Sequence, residues 1–145
     1  MKNTNGFTLI EVLIVLSASI VLLSIGSLFQ THVIKHYQED QFLQLFQSDV
    51  LYMQYITLIK RETFNMTIHP DQHNYIIRKG GTGKIITKRN IPSNWNVQLM
   101  TLTMPISFTF NGTIKNPGMF SIKTGESHYQ VFLPFGKGRG YIIEK

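Results

Sequence analysis

The sequence predicts an α+β chain, in which one long N-terminal helix packs against a C-terminal antiparallel β-sheet head. Three observations lead there. Residues 7–29 form an apolar run interrupted by a single charge, Glu11. From Gln30 to Arg61 there is no proline or glycine, and apolar side chains recur at Ile34, Phe42, Phe46, Val50, Met53 and Ile56. Those gaps are mostly three or four, the period of a helix with one buried face. After Glu62 the pattern changes to short β-type runs divided by turn residues.

The apolar run is long enough to cross a bilayer, since 23 residues of helix extend roughly 34 Å at about 1.5 Å per residue. Lys2 is the one charge ahead of it and favours a cytosolic N-terminus. A cleaved secretory signal would have an apolar stretch of about 7–15 residues followed by a small-residue cleavage site. The run is longer than that, and its exit, SLFQTH, has no such site. A plain membrane anchor accounts for the length but leaves Glu11 unexplained. An acid at the bilayer centre costs about 2.5–3.5 kcal/mol and less near the interface, so Glu11 calls for a partner.

The residues GFTLIEVL at 6–13 supply one, because they closely resemble the processing motif of type IV prepilins and pseudopilins. The resemblance implies cleavage between Gly6 and Phe7 by a prepilin peptidase, N-methylation of Phe7, and Glu11 as the fifth residue of the mature chain. Cleavage would create a positive amine one helical turn from Glu11. In a bundle of staggered helices that carboxylate can neutralise the amine of a neighbouring subunit, and only one stagger brings the charges together. Glu11 is therefore the expected assembly and register residue. The expected organisation is a leader at 1–6, a transmembrane half-helix at 7–29, an amphipathic half-helix at 30–61 and a β-rich head at 62–145. The resemblance further implies a single-pass membrane precursor with an extracytoplasmic head, and a cell-surface filament after processing. Its partners would be the peptidase, other pilins or pseudopilins, an assembly platform protein and the lipid bilayer.

In the head, strands are expected at Thr63–His69, Tyr75–Lys79, Lys84–Arg89, Trp95–Thr103, Ile106–Asn111, Met119–Thr124, Tyr129–Phe135 and Tyr141–Glu144. Pro70-Asp71, Gly80 to Gly83, Pro92 to Asn94, Asn116 to Gly118, Gly125-Glu126 and Gly136 to Gly140 separate them. Tight connections of this kind predict antiparallel meanders in one or two small sheets laid on the helix. The segments FTFNGTIKNPGMFSI and HYQVFLPFGKGRGYII resemble the ending of the GspH/FimT group of minor pilins and pseudopilins. The matching pieces are Phe110-Asn111-Gly112 and Gly138-Arg139. With the absence of cysteine, this resemblance is nearest a minor pilin of a Gram-positive competence apparatus (ComGD-like), which implies a role in uptake of extracellular DNA. A type II secretion pseudopilin is the alternative within the family. A membrane-anchored binding domain that never polymerises is the alternative outside it.

No cysteine is present, so thiol catalysis and thiolate metal sites are excluded. His69 and His73 are separated by Pro70-Asp71, which puts them across a turn rather than on one helix face. There is no G-x-S-x-G or H-E-x-x-H pattern, and Gly80 to Lys84 lacks phosphate-loop spacing. An enzyme is not expected, nor is a cofactor or a metal. Residues 63–145 do carry ten basic against three acidic side chains, a net of +7, which favours anionic partners. Arg78, Lys79, Lys84, Lys88 and Arg89 fall in one expected hairpin with no acid among them, and Lys137, Arg139 and Lys145 lie near the C-terminus. These eight are the candidate DNA contacts, the alternative being solvated turn residues.

Overall fold

The computed structural model describes residues 8–136 and 139–145, with the side chains of residues 25–35 outside the description. A single helix, α1, runs from Leu9 to Lys60. It stops where Arg61 takes a left-handed φ of 51°. Eight strands follow: β1 (Phe64–His69), β2 (Asn74–Lys79), β3 (Ile85–Asn90), β4 (Asn96–Gln98), β5 (Ile106–Ser107), β6 (Gly118–Lys123), β7 (His128–Leu133) and β8 (Tyr141–Glu144). All eight expected strands are present. The chain forms two compact units, one up to Asp40 and one from Gln41 to Lys145.

The second unit, the head, holds the buried apolar core, and Gln41–Lys60 of α1 belongs to it. Leu43, Phe46, Val50, Met53 and Thr57 are buried on one helical face, with Phe42 and Ile56 packed at its margin. That is the spacing the sequence predicts, although the side chain of Ile34 lies outside the described residues. The sheets meet the helix through aromatic rings. Phe46 packs edge-on against Tyr75 of β2 at 5.4 Å and Phe120 of β6 at 5.3 Å. Phe42 does the same with Trp95 at 5.1 Å. Edge-to-face rings at these separations contribute about 0.5–1.5 kcal/mol each beyond their buried area.

The topology departs from simple meanders. One antiparallel sheet has the order β3-β2-β1-β5 and the other β4-β6-β7-β8. The chain therefore crosses to the second sheet for β4, returns to the first for β5, and crosses again for β6. Both crossing strands are shorter than expected because their flanks bond elsewhere. The Thr101 and Leu102 N–H groups donate to the Met119 carbonyl at 3.0 and 3.2 Å. Beyond β5, Thr109 N–H donates to the Thr113 carbonyl at 2.8 Å and Gly112 N–H to the Thr109 carbonyl at 2.9 Å, closing a turn where strand was expected. The close approach at residue 118 admits only glycine, since a Cβ there would lie 2.6 Å from the Leu102 Cα.

Candidate functional sites

At the start of α1, Thr8 and Glu11 form a reciprocal cap. The Thr8 N–H and hydroxyl each donate to Glu11 Oε2 at 2.8 Å, and the Glu11 N–H lies 3.4 Å from Thr8 Oγ1. The T-x-x-E spacing ahead of an apolar run is the sequence signature of a capping box, so within the chain Glu11 has a local partner in Thr8. Glu11 Oε1 has no hydrogen-bond donor among the described residues. Gly6 and Phe7, the expected cleavage and methylation positions, lie outside the described residues. From Thr8 to Ser24 every side chain is exposed. Among the described residues no helix is long and apolar enough to cross a membrane. The expected span at 7–29 falls partly outside them, at Phe7 and at the side chains from Ile25 onward.

The five hairpin cations sit on β2, β3 and their connecting turn, but they are not equivalent. Lys79 Nζ is 2.8 Å from Glu62 Oε1, and Arg89 Nε is 3.2 Å from Asp49 Oδ2. Antiparallel pairing explains the division. Arg89 stands opposite Tyr75, whose side chain is fully buried against the helix, whereas Lys88 stands opposite Ile76 on the other face. Arg78 donates to the Gly83 carbonyl at 3.5 Å. Arg78, Lys84 and Lys88 have no carboxylate partner among the described residues.

Asp49 is the acid that the sequence did not connect to anything. It accepts from the Tyr75 hydroxyl at 2.8 Å as well as from Arg89, all on Oδ2. Burial, and then the hydrogen bond and charge of Asp49, push the Tyr75 phenol well above its ordinary value. The hydrogen bond from Arg89 to Asp49 likewise holds the Arg89 guanidinium above its own. These partners are 26 and 40 residues apart, so no local motif announces them.

The C-terminal cations are also separated. Lys137 lies outside the described residues. Lys145 closes the sheet through its backbone N–H, which donates to the His128 carbonyl at 2.9 Å. Arg139 lines an apolar cavity of about 150 Å³ with Val50, Leu51, Gln54, Phe108 and Leu133. Neither this cavity nor the neighbouring groove that Arg139 also lines includes a hairpin cation. His69 and His73 flank the three-residue helical turn Pro70–Gln72, with His73 at a left-handed φ of 47°, as their spacing implied.

Residues 1–29 match the family model described as the prokaryotic N-terminal methylation motif. No curated protein matches the chain. Among solved structures the chain is similar to the minor pseudopilin EpsH from the type 2 secretion system of Vibrio cholerae. The identity is 14% and the TM-score 0.51, over 70% of this chain and 91% of that one. At that identity the likeness is one of fold: an N-terminal helix packed on antiparallel strands.

Proposed function

We propose that the chain is a minor pilin-type subunit, made as a membrane-inserted prepilin, cut between Gly6 and Phe7 and polymerised through its N-terminal helix. The match of residues 1–29 to the methylation motif carries this reading. The apolar side chains from Leu9 to Leu23 are exposed in the single chain, and a bilayer before assembly and neighbouring helices afterwards would cover them. Glu11 has one oxygen in the cap, which leaves Oε1 to receive the Phe7 amine of an adjacent subunit. The role is structural, without catalysis. Mass analysis of the protein from producing cells tests it: the mature form begins at methylated Phe7. A filament that functions normally with residues 1–6 retained would overturn the reading.

Within this reading the filament serves DNA uptake in a competence apparatus. Support comes from the basic head and from the Gly138-Arg139 resemblance. Arg78, Lys84 and Lys88, free of carboxylates among the described residues, are the better-placed cations of the hairpin. The double variant Lys137→Ala, Arg139→Ala should weaken DNA binding and flatten its salt dependence. Unchanged binding removes those two residues from the account. The similarity to EpsH favours a second reading, a type II secretion pseudopilin, which needs no DNA affinity. Salt-sensitive DNA binding separates the two. A membrane-anchored domain that never polymerises is favoured if Glu11→Ala fails to disturb filament assembly.

A further inference from the structure

The interior of the head leaves a cavity unfilled beside the helix. The cavity beside Arg139, walled by Val50, Leu51, Phe108, Ile114 and Leu133, has a volume of about 150 Å³. An apolar cavity of about that volume holds a group the size of a benzene ring. It continues into an open groove, because Leu51, Gln54 and Arg139 line both; Tyr55, Leu58 and Gly112 complete the groove.

The surroundings suit a protein side chain better than a small solute. Apolar surface extends well past the cavity mouth: Tyr55 is 66% exposed, and Phe135, next to the lining residue Pro134, is 84% exposed. Exposed aromatic side chains around a pocket are the usual anchors of protein–protein contact. Arg139 is the one cation among the described residues that line this site, and no described residue gives it a carboxylate partner, unlike Arg89 and Lys79. The Gln54 amide nitrogen donates to the Gly112 carbonyl at 2.6 Å, which fixes that side chain and leaves its own oxygen as an acceptor. Gly112 has a φ of +78°, and a Cβ there would press on Leu58 at 3.2 Å, so glycine keeps the groove open.

We infer that this cavity is a docking site for one apolar side chain of another subunit of the filament, on a segment that also brings a carboxylate to Arg139. The inference rests on the filament reading and identifies a surface by which the head grips its neighbour. Volume selects the side chain and charge selects its flanking residue. A nucleic acid offers phosphates to Arg139, but its bases carry polar edges that the walls Val50, Phe108, Ile114 and Leu133 would leave unpaired; with Arg139 taken by a subunit, DNA contact rests on the hairpin cations.

Site-directed photo-crosslinking in producing cells tests it with the full-length protein. A benzoylphenylalanine placed at Tyr55 should capture a second filament subunit. Arg139→Glu should lower that yield by roughly tenfold or more, since a like charge then faces the partner's carboxylate, and Arg139→Lys should retain most of it. Arg139 is exposed, so an unaltered unfolding midpoint shows that the head is intact. Capture of lipid or DNA alone, no captured subunit, or equal yield from Arg139→Glu overturns the proposal. Absence of capture with normal N-terminal processing and Glu11-dependent incorporation sinks the docking site by itself. Loss of processing and incorporation as well sinks the filament reading beneath it.

Discussion

The hydroxyl of Tyr75, on the central strand β2, donates a 2.8 Å hydrogen bond to Asp49 Oδ2 on α1, inside the head. Arg89 reaches the same oxygen from the solvent side at 3.2 Å. The buried donor and the exposed one should matter unequally. Tyr75→Phe removes a hydrogen bond to a charged acceptor and should cost about 1.5–3 kcal/mol. Arg89→Ala removes a partner whose side chain is 40% exposed, and should cost about 0.2–1 kcal/mol. Denaturant unfolding of both variants checks the order; a larger loss from Arg89→Ala would mean that the surface pair, not the phenol, holds the helix to the sheet.

The same phenol should set an alkaline limit. In the unfolded chain it ionises near its ordinary value of about 10, while in the fold burial and then Asp49 hold the proton to higher pH. The folded state favours the protonated form. Its contribution is full below about pH 10 and is lost as pH rises beyond that. Unfolding midpoints measured from pH 8 to 12 should fall more steeply for the parent than for Tyr75→Phe. Parallel curves would remove Tyr75 from the titration.

Much of this fold is legible in the residues, because the signals that carry it are local. Helical spacing marks Phe46, Val50 and Met53 as core, and glycine and proline turns mark most strand boundaries. Strand order is not legible in that way. The return of β5 to β1 depends on Asn65 pairing with Ser107 and Met66 with Ile106, contacts that no turn motif encodes. The sites divide along the same line. Glu11 stands out as a lone charge in an apolar run, whereas Asp49, on the buried helical face between Phe46 and Met53, has partners 26 and 40 residues away that no local pattern marks. Arg89 reads in sequence like its basic neighbours, yet alternation along β3 sends it to Asp49 on the helix.

The capping box gives a way to separate two roles of Glu11. Glutamine at the same position can still cap Thr8, because a capping box accepts Glu or Gln, but it carries no charge for an amine. Glu11→Gln should therefore keep the helix start and lose filament incorporation. Thr8→Ala should do the reverse, weakening the helix start by about 0.5–2 kcal/mol while leaving the carboxylate. Immunoblots of sheared filaments against membrane fractions read incorporation, and near-normal incorporation of Glu11→Gln would leave the cap as the residue's only role.

Gly118 begins β6 where the 101–102 segment crosses it. A methyl group there would meet the Leu102 Cα at 2.6 Å and the Thr101 carbonyl oxygen at 2.8 Å, both backbone atoms that cannot swing aside. Gly118→Ala should cost about 1–3 kcal/mol, the usual range for overpacking. Hydrogen exchange should report it first at Thr101 and Leu102, whose N–H groups donate to the Met119 carbonyl. An unchanged midpoint would show that the crossing segment can move away freely.

The hairpin cations predict a graded response to DNA. Lys79 and Arg89 are already matched by Glu62 and Asp49, so removing either deletes little available positive charge. Arg78, Lys84 and Lys88 have no such partners among the described residues. If all three meet phosphates, the triple alanine variant should lower the slope of log affinity against log salt by about 2–3, at about 0.9 for each contact on duplex DNA. Fluorescence anisotropy with a labelled duplex between 50 and 200 mM salt measures this in the range where such contacts dominate. A parent protein with no measurable affinity there would favour the secretion reading over DNA uptake. A parent that binds, with an unchanged slope in the triple variant, would move the contact surface away from the hairpin.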